Sequence, residues 1–141
     1  MDNLIESLLG LDDKEFNNQR TKDVEIPRLT RLTGKPFMVT VKSLSPERIY
    51  ELQDRSLDKS GAVSMNKFYK GALNICSECI TSPNFDDEKL KKKLNLHERA
   101  LKIDVLKKVF KVSEINIINS ECMSISGFDD NSELVEELKN D

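Results

Sequence analysis

Residues 24–57 read VEIPRLTRLTGKPFMVTVKSLSPERIYELQDRSL, and this stretch decides the fold. Val24, Ile26, Leu29 and Leu32 precede Thr33-Gly34, and Phe37, Val39 and Val41 follow it. Alternation on both sides of a glycine predicts a small β-hairpin. Pro27, lying in the first strand, removes a backbone donor and makes that strand an edge, which limits stray pairing. Ser45-Pro46-Glu47 then opens a helix: the serine oxygen accepts an early amide, proline suits the first helical position, and the acid favours the positive helix end. Ile49 and Leu52 give that helix an apolar side, and it is expected to run to about Leu57.

Outward from this stretch the pattern is helical. Ser64 is placed to cap a central helix whose stripe is Met65, Phe68, Tyr69, Ala72, Ile75, Cys76 and Cys79. Ser82-Pro83-Asn84 ends it. Asp86-Asp87-Glu88 begins a short helix through Leu90 and Leu94, acids first and lysines last. Asn95 is expected to cap a helix carrying Ala100, Leu101, Val105, Leu106 and Val109. Ser113 is expected to cap the last long one, with Ile115, Ile118, Cys122 and Ile125 on one side and Gly127 as its stop. Upstream, Leu4, Ile5, Leu8 and Leu11 recur at helical spacing before a polar run. The expected fold is α+β and mainly helical, a small N-terminal hairpin followed by about five helices with flexible termini. Residues 1–22 form an amphipathic helix and polar tether, residues 23–127 a single domain, and residues 128–141 an acidic tail.

The chain has 141 residues, 38% of them hydrophobic and 33% charged. That length suffices to bury roughly two thirds of the unfolded surface without a metal or disulfide framework. The net charge of −3 conceals a split. Lys89 to Lys111 holds nine cations against Glu98 and Asp104, whereas Ser113 to Asp141 holds eight acids against Lys139. Such segments can meet within one molecule or between copies, although exposed charges pair weakly. There is no secretory signal pattern, no apolar run near the roughly 18 residues of a membrane span, and an odd number of cysteines, three. These features point to a cytoplasmic protein.

No reactive set emerges. Cys76 and Cys79 are spaced C-x-x-C, and with Cys122 and His97 they would make four zinc ligands. Yet the pair lies on the apolar side of a helical pattern without the Gly or Pro of a zinc knuckle, so core packing is the reading. His97 has no neighbouring nucleophile and reads as a surface or capping residue. Ser56 to Lys59 and Ser64 to Lys67 match S-x-x-K without the companion motifs of acyl-transfer enzymes. Gly34-Lys35 lacks the rest of a phosphate loop, and neither Asp86-Asp87-Glu88 nor Asp129-Asp130-Asn131 has calcium-loop spacing. The expectation is a non-enzyme with no cofactor and no metal, acting through its surfaces. Candidate partner-binding residues are Leu4, Ile5 and Leu8 on the first helix, Val39 and Val41 on the hairpin, Lys91 and Lys92, and Leu134 and Leu138.

The order of features resembles the XkdN-like phage tail assembly chaperones of contractile tails and tail-like elements. The stretches that carry it are Glu25-Ile-Pro-Arg-Leu-Thr30 with Gly34-Lys-Pro-Phe37 and Val41, then Leu44-Ser-Pro-Glu-Arg48, then the helix holding Phe68 and Tyr69. Pro83-Asn-Phe-Asp-Asp-Glu-Lys-Leu90 and Ile125-Ser-Gly127 complete it. One departure is Lys111-Val-Ser-Glu114, where such proteins often have Pro-Gly-Glu. The resemblance implies a chaperone that binds the tape measure protein and keeps it soluble during tail tube assembly, in the host bacterial cytoplasm. Tail tube subunits and further copies of the chain are secondary partners, and no membrane is involved. The alternative is an adaptor or regulator that binds nucleic acid through Lys89 to Lys111; an acidic overall charge and few aromatic residues weigh against it.

Overall fold

The computed structural model describes residues 3–17, 19–55 and 65–128. Helices α1 (Asn3–Leu9) and α2 (Lys14–Asn17) precede strand β1 (Thr21–Glu25), helix α3 (Pro27–Thr33), strand β2 (Met38–Lys42) and helix α4 (Pro46–Asp54). Helix α5 (Met65–Cys79), strand β3 (Ile80–Ser82) and helices α6 (Glu88–Lys93), α7 (Lys102–Val109) and α8 (Val112–Ile125) follow. The class is α+β and mainly helical, with an antiparallel sheet ordered β1-β2-β3.

The expected hairpin is present as a strand pair but not as a hairpin. β1 and β2 are antiparallel, Thr21 opposite Lys42 and Glu25 opposite Met38, yet a helix joins them. Pro27 stands at the first helical position, and Gly34, at φ 74°, closes α3 by donating its amide to Thr30 O at 2.9 Å. Proline opening and glycine closing a seven-residue segment is a helix signal, shared by the three-residue spacing of Leu29 and Leu32, that the strand-like residues on either side obscured. Thr30 Oγ1 then accepts from the Phe37 amide at 2.9 Å, pinning α3 to the start of β2. Pro27 therefore blocks no strand. β1 is nonetheless an edge, and its outward Asp23 and Glu25, with the exposed Lys22, blunt it. Thr21 and Lys22 fall in the sheet and not in the tether, because an edge strand with one wet face tolerates polar residues.

Ser45 caps α4, accepting the Arg48 amide at 3.2 Å, with Pro46 as the first helical residue. The helix ends at Asp54; Leu57 and the Ser64 cap lie outside the described residues. α5 packs against α8, α4 and α7 and forms the spine of the core. Ala72, Ile75, Cys76 and Cys79 are buried there as expected, and Leu73 joins them, but Phe68 is 51% exposed. Directly after Cys79 the chain enters β3, where Ile80 pairs with Val41 and Ser82 with Thr40. Ser82-Pro83-Asn84 predicts only a helix end here; β-branched Ile80 and Thr81 suit the strand, and three residues leave little periodicity to see.

Helix ends account for two further differences. Asn95 does not cap α7. It sits at φ 60° and closes α6, its amide donating to Lys92 O at 3.1 Å while Leu96 donates to Lys91 O at 2.8 Å. Gly127 closes α8 in the same manner, with Gly127 donating to Ser124 O and Phe128 to Met123 O. At the N-terminal ends, Lys111 and Leu101, not Ser113 and Asn95, hold the cap positions. Carboxylates three residues on reach back to their amides: Asp104 to Leu101 at 3.2 Å and Glu114 to Lys111 at 2.8 Å. The Lys111-Val-Ser-Glu114 departure thus keeps the acid that caps the helix.

Candidate partner-binding surfaces

Residues 3–16 carry a run of exposed large apolar side chains. Leu4 is 74% exposed and Leu9 71%, and Ile5, Leu8, Leu11 and Phe16 are exposed as well. α1 buries none of its residues. So short a helix gains too little from its own hydrogen bonds to stand alone in water, and exposed leucines add nothing to the core. The apolar periodicity of Leu4, Ile5 and Leu8 is therefore presented outward.

Phe16 leads from this arm into a cleft of about 490 Å³ whose walls are Gln19 and Arg20, residues 43–46, and Ile125 to Gly127. A continuous set of hydrogen bonds holds its floor. The Arg20 amide donates to Ser43 Oγ at 2.9 Å, the Ser43 amide to Arg20 O at 2.7 Å, and the Leu44 amide to Ser126 Oγ at 2.9 Å. Ser126 Oγ in turn donates to Cys122 O at 2.6 Å. Phe16, Leu44, Pro46 and Ile125 supply apolar wall, and Arg20 is the one ionisable side chain among the described lining residues. Such a cleft can take an apolar side chain and the main chain beside it. Sequence reading missed it because its parts come from three distant segments.

The remaining candidates are dispersed. Val39 and Val41 are fully buried beneath α5 and α8, which corrects their assignment to a binding surface: odd-numbered residues of β2 face the core, and Met38 is the exposed apolar residue of that strand. Lys91 is corrected likewise. It is 7% exposed, with Nζ donating to Glu98 O at 3.3 Å and lying 3.7 Å from the Asp86 carboxylate. Lys92 does face outward, lining a hollow of about 520 Å³ with Glu88, Asn95, Leu96, His97 and Glu98. Leu134 and Leu138 lie outside the described residues.

The basic segment is not one surface. Besides Lys91, Lys102 turns inward to donate to Ile80 O at 2.8 Å, and burial lowers its pKa. His97 caps a local turn, its Nδ1 accepting the Arg99 amide at 3.0 Å. All three cysteines are buried. Cys76 Sγ donates to Ile115 O at 3.5 Å and Cys122 Sγ to Lys42 O at 3.6 Å. The Cys122 thiol is pushed far up by its hydrogen bond with Cys79 and by burial. For Cys79 the hydrogen bond with Cys122 acts downward, but that with Cys76, together with burial, outweighs it. Cys79 and Cys122 are thus neutral packing groups, and Cys76 packs in the same core. Among the described residues no cluster of His, Cys, Asp and Glu could hold a metal ion, and no helix is long and apolar enough to cross a membrane.

A family model described as phage XkdN-like tail assembly chaperone protein matches residues 5–139 of the chain. No curated protein matches it. Among solved structures, the crystal structure of the protein yqbn, a structural genomics target, is similar at a TM-score of 0.50 and 24% identity, covering 77% of this chain and 87% of that one. That likeness concerns the fold alone.

Proposed function

We propose that this chain, which belongs to the XkdN-like family of phage tail assembly chaperones, binds the tape measure protein in the host cytoplasm and keeps it soluble until tail tube subunits enclose it. The observation that carries the reading is the outward apolar face of residues 3–16, joined through Phe16 to the cleft beside Leu44 and Ile125. A long helical client exposes apolar stripes before the tube covers them. A short amphipathic helix and an apolar cleft engage such stripes by packing side chains at helical spacing. The role proposed is one of binding: among the described lining residues of the cleft Arg20 is the one ionisable side chain, set beside the apolar Phe16, Leu44, Pro46 and Ile125. The nucleic-acid reading loses support from Lys91 and Lys102, which turn inward and break the basic run into separate faces.

Co-expression tests this reading. The parent chain is expected to shift the tape measure protein into the soluble fraction and to co-purify with it. The double variant I5D/L8D is expected to lose that activity roughly tenfold or more, as the loss of two buried apolar anchors predicts. Its thermal midpoint should stay where it was, since neither side chain is buried in the free protein. Equal rescue by parent and variant would remove the N-terminal arm from the mechanism.

A further inference from the structure

A second groove lies between the end of α4, the middle of α5 and α7, with a volume of about 180 Å³. Its lining joins three cations, Arg55, Lys70 and Lys107, to an apolar floor of Leu73 and Ile103, with Asn74 beside them. None of the three cations forms an ion pair with a described residue. The hollow beside Lys92 is different, since Glu88 and Glu98 offset its charge.

We infer that this groove binds the chain's own residues 129–141. Their sequence is DDNSELVEELKND, with six carboxylates against Lys139. Leu134, Val135 and Leu138 recur at the spacing of one helical face, so the segment offers apolar side chains flanked by acids, the complement of an apolar floor flanked by cations. Its starting point is close. Phe128 packs edge-on against Tyr50, ring centroids 5.6 Å apart, and Tyr50 and Arg55 lie on one helix and its end, separated by a rise of about 7.5 Å. Thirteen residues span about 20 Å as helix. Attachment at Phe128 gives the segment an effective concentration in the millimolar range, so individually weak charge contacts suffice. This inference is independent of the tape measure reading.

A nitroxide on D141C in the full chain tests it through broadening of backbone amide signals. The amides of Lys70, Asn74, Ile103 and Lys107 are expected to broaden at low salt. The effect should vanish near about 0.5 M NaCl, where the screening length falls to about 4 Å, and in K70E/K107E. Absence of broadening in the groove, or broadening indifferent to salt, overturns the inference. So does broadening that appears when spin-labelled chains are mixed with separately isotope-labelled ones, since the segment would then reach a second copy. If K70E/K107E does not fold, the salt series on the parent background decides.

Discussion

Phe85→Ala lowers the free energy of unfolding by about 3–5 kcal/mol, the cost of emptying a fully packed phenylalanine site. Phe85 is 2% exposed and meets Phe110 edge-on, ring centroids 5.4 Å apart at 69°. It is the one core side chain supplied by the segment between β3 and α6, so its loss also frees that segment from the end of α7. A domain of this size has a total stability of about 5–15 kcal/mol, so the variant is expected to be partly unfolded at physiological temperature. Phe68→Ala, on the exposed side of α5, is expected to change stability by less than about 0.5 kcal/mol. Urea denaturation of the two variants side by side checks the pair. Equal losses would contradict this placement of the core.

Glu114→Gln has the second largest expected effect and a pH signature. The guanidinium of Arg28 on α3 grips the Glu114 carboxylate through Nε and Nη2, with contacts of 2.9–3.3 Å, while Nη2 also donates to Val109 O at 2.8 Å. Glu114 Oε1 meanwhile accepts the Lys111 amide at 2.8 Å. The helix that joins the first two strands is thereby tied to the junction of α7 and α8. An amide at position 114 leaves one oxygen for these donors and turns an NH₂ toward the guanidinium, which costs about 1.5–3 kcal/mol for charged hydrogen bonds lost in a mostly buried site. The Arg28 hydrogen bond, aided by the Lys111 amide and opposed by burial, holds the Glu114 carboxyl below its ordinary range. A carboxylate with a depressed folded-state pKa stabilises above its unfolded-state pKa, near about 4.3, and loses that contribution as the pH falls through the folded-state value. The stability gap between parent and Glu114→Gln is therefore expected to be full at neutral pH and to close as the pH drops below about 4. A gap that stays constant down to acid pH would show that Glu114 acts by shape alone.

The two effects also show which features a single sequence makes legible. Period-two alternation puts Val24 with Ile26 and Val39 with Val41 on common faces, and all four are buried, but alternation does not say which face meets the core, and sequence reading assigns Val39 and Val41 to a binding surface instead. Ser45-Pro46 announced a helix start through a side-chain oxygen and the acids of Asp86-Asp87-Glu88 another through the helix dipole; the Ser45 cap is made, and Asp87 supplies the oxygen that caps the second. Gly127 announced a stop through its conformational freedom and occupies φ 97°. These are local signals, each carried by a few neighbouring residues. Where the same residue type serves two local purposes, the reading failed. Asn95 can cap a helix start or take a left-handed φ at a helix end, and Pro27 can mark an edge strand or a first helical turn; in both cases the second purpose holds. Lys91 failed for another reason: a lysine stem can lie along apolar surface when its ammonium finds a carbonyl, here Glu98 O, seven residues away.

The binding surfaces were legible only in part. Leu4, Ile5 and Leu8 showed their spacing but not their exposure, which depends on the rest of the fold having no place for them. The cleft around Phe16 and the Arg55, Lys70 and Lys107 groove are assembled from segments distant in the sequence, and no periodicity announces such a juxtaposition.

Hydrogen–deuterium exchange of the full chain, free and bound to the tape measure protein, tests the central claim most directly. The account predicts slowed exchange on binding in residues 3–17 and in the cleft segments 43–46 and 125–127, with the interior of α5 unchanged. Protection confined to other surfaces, or none in a mixture at saturating concentration, would contradict it.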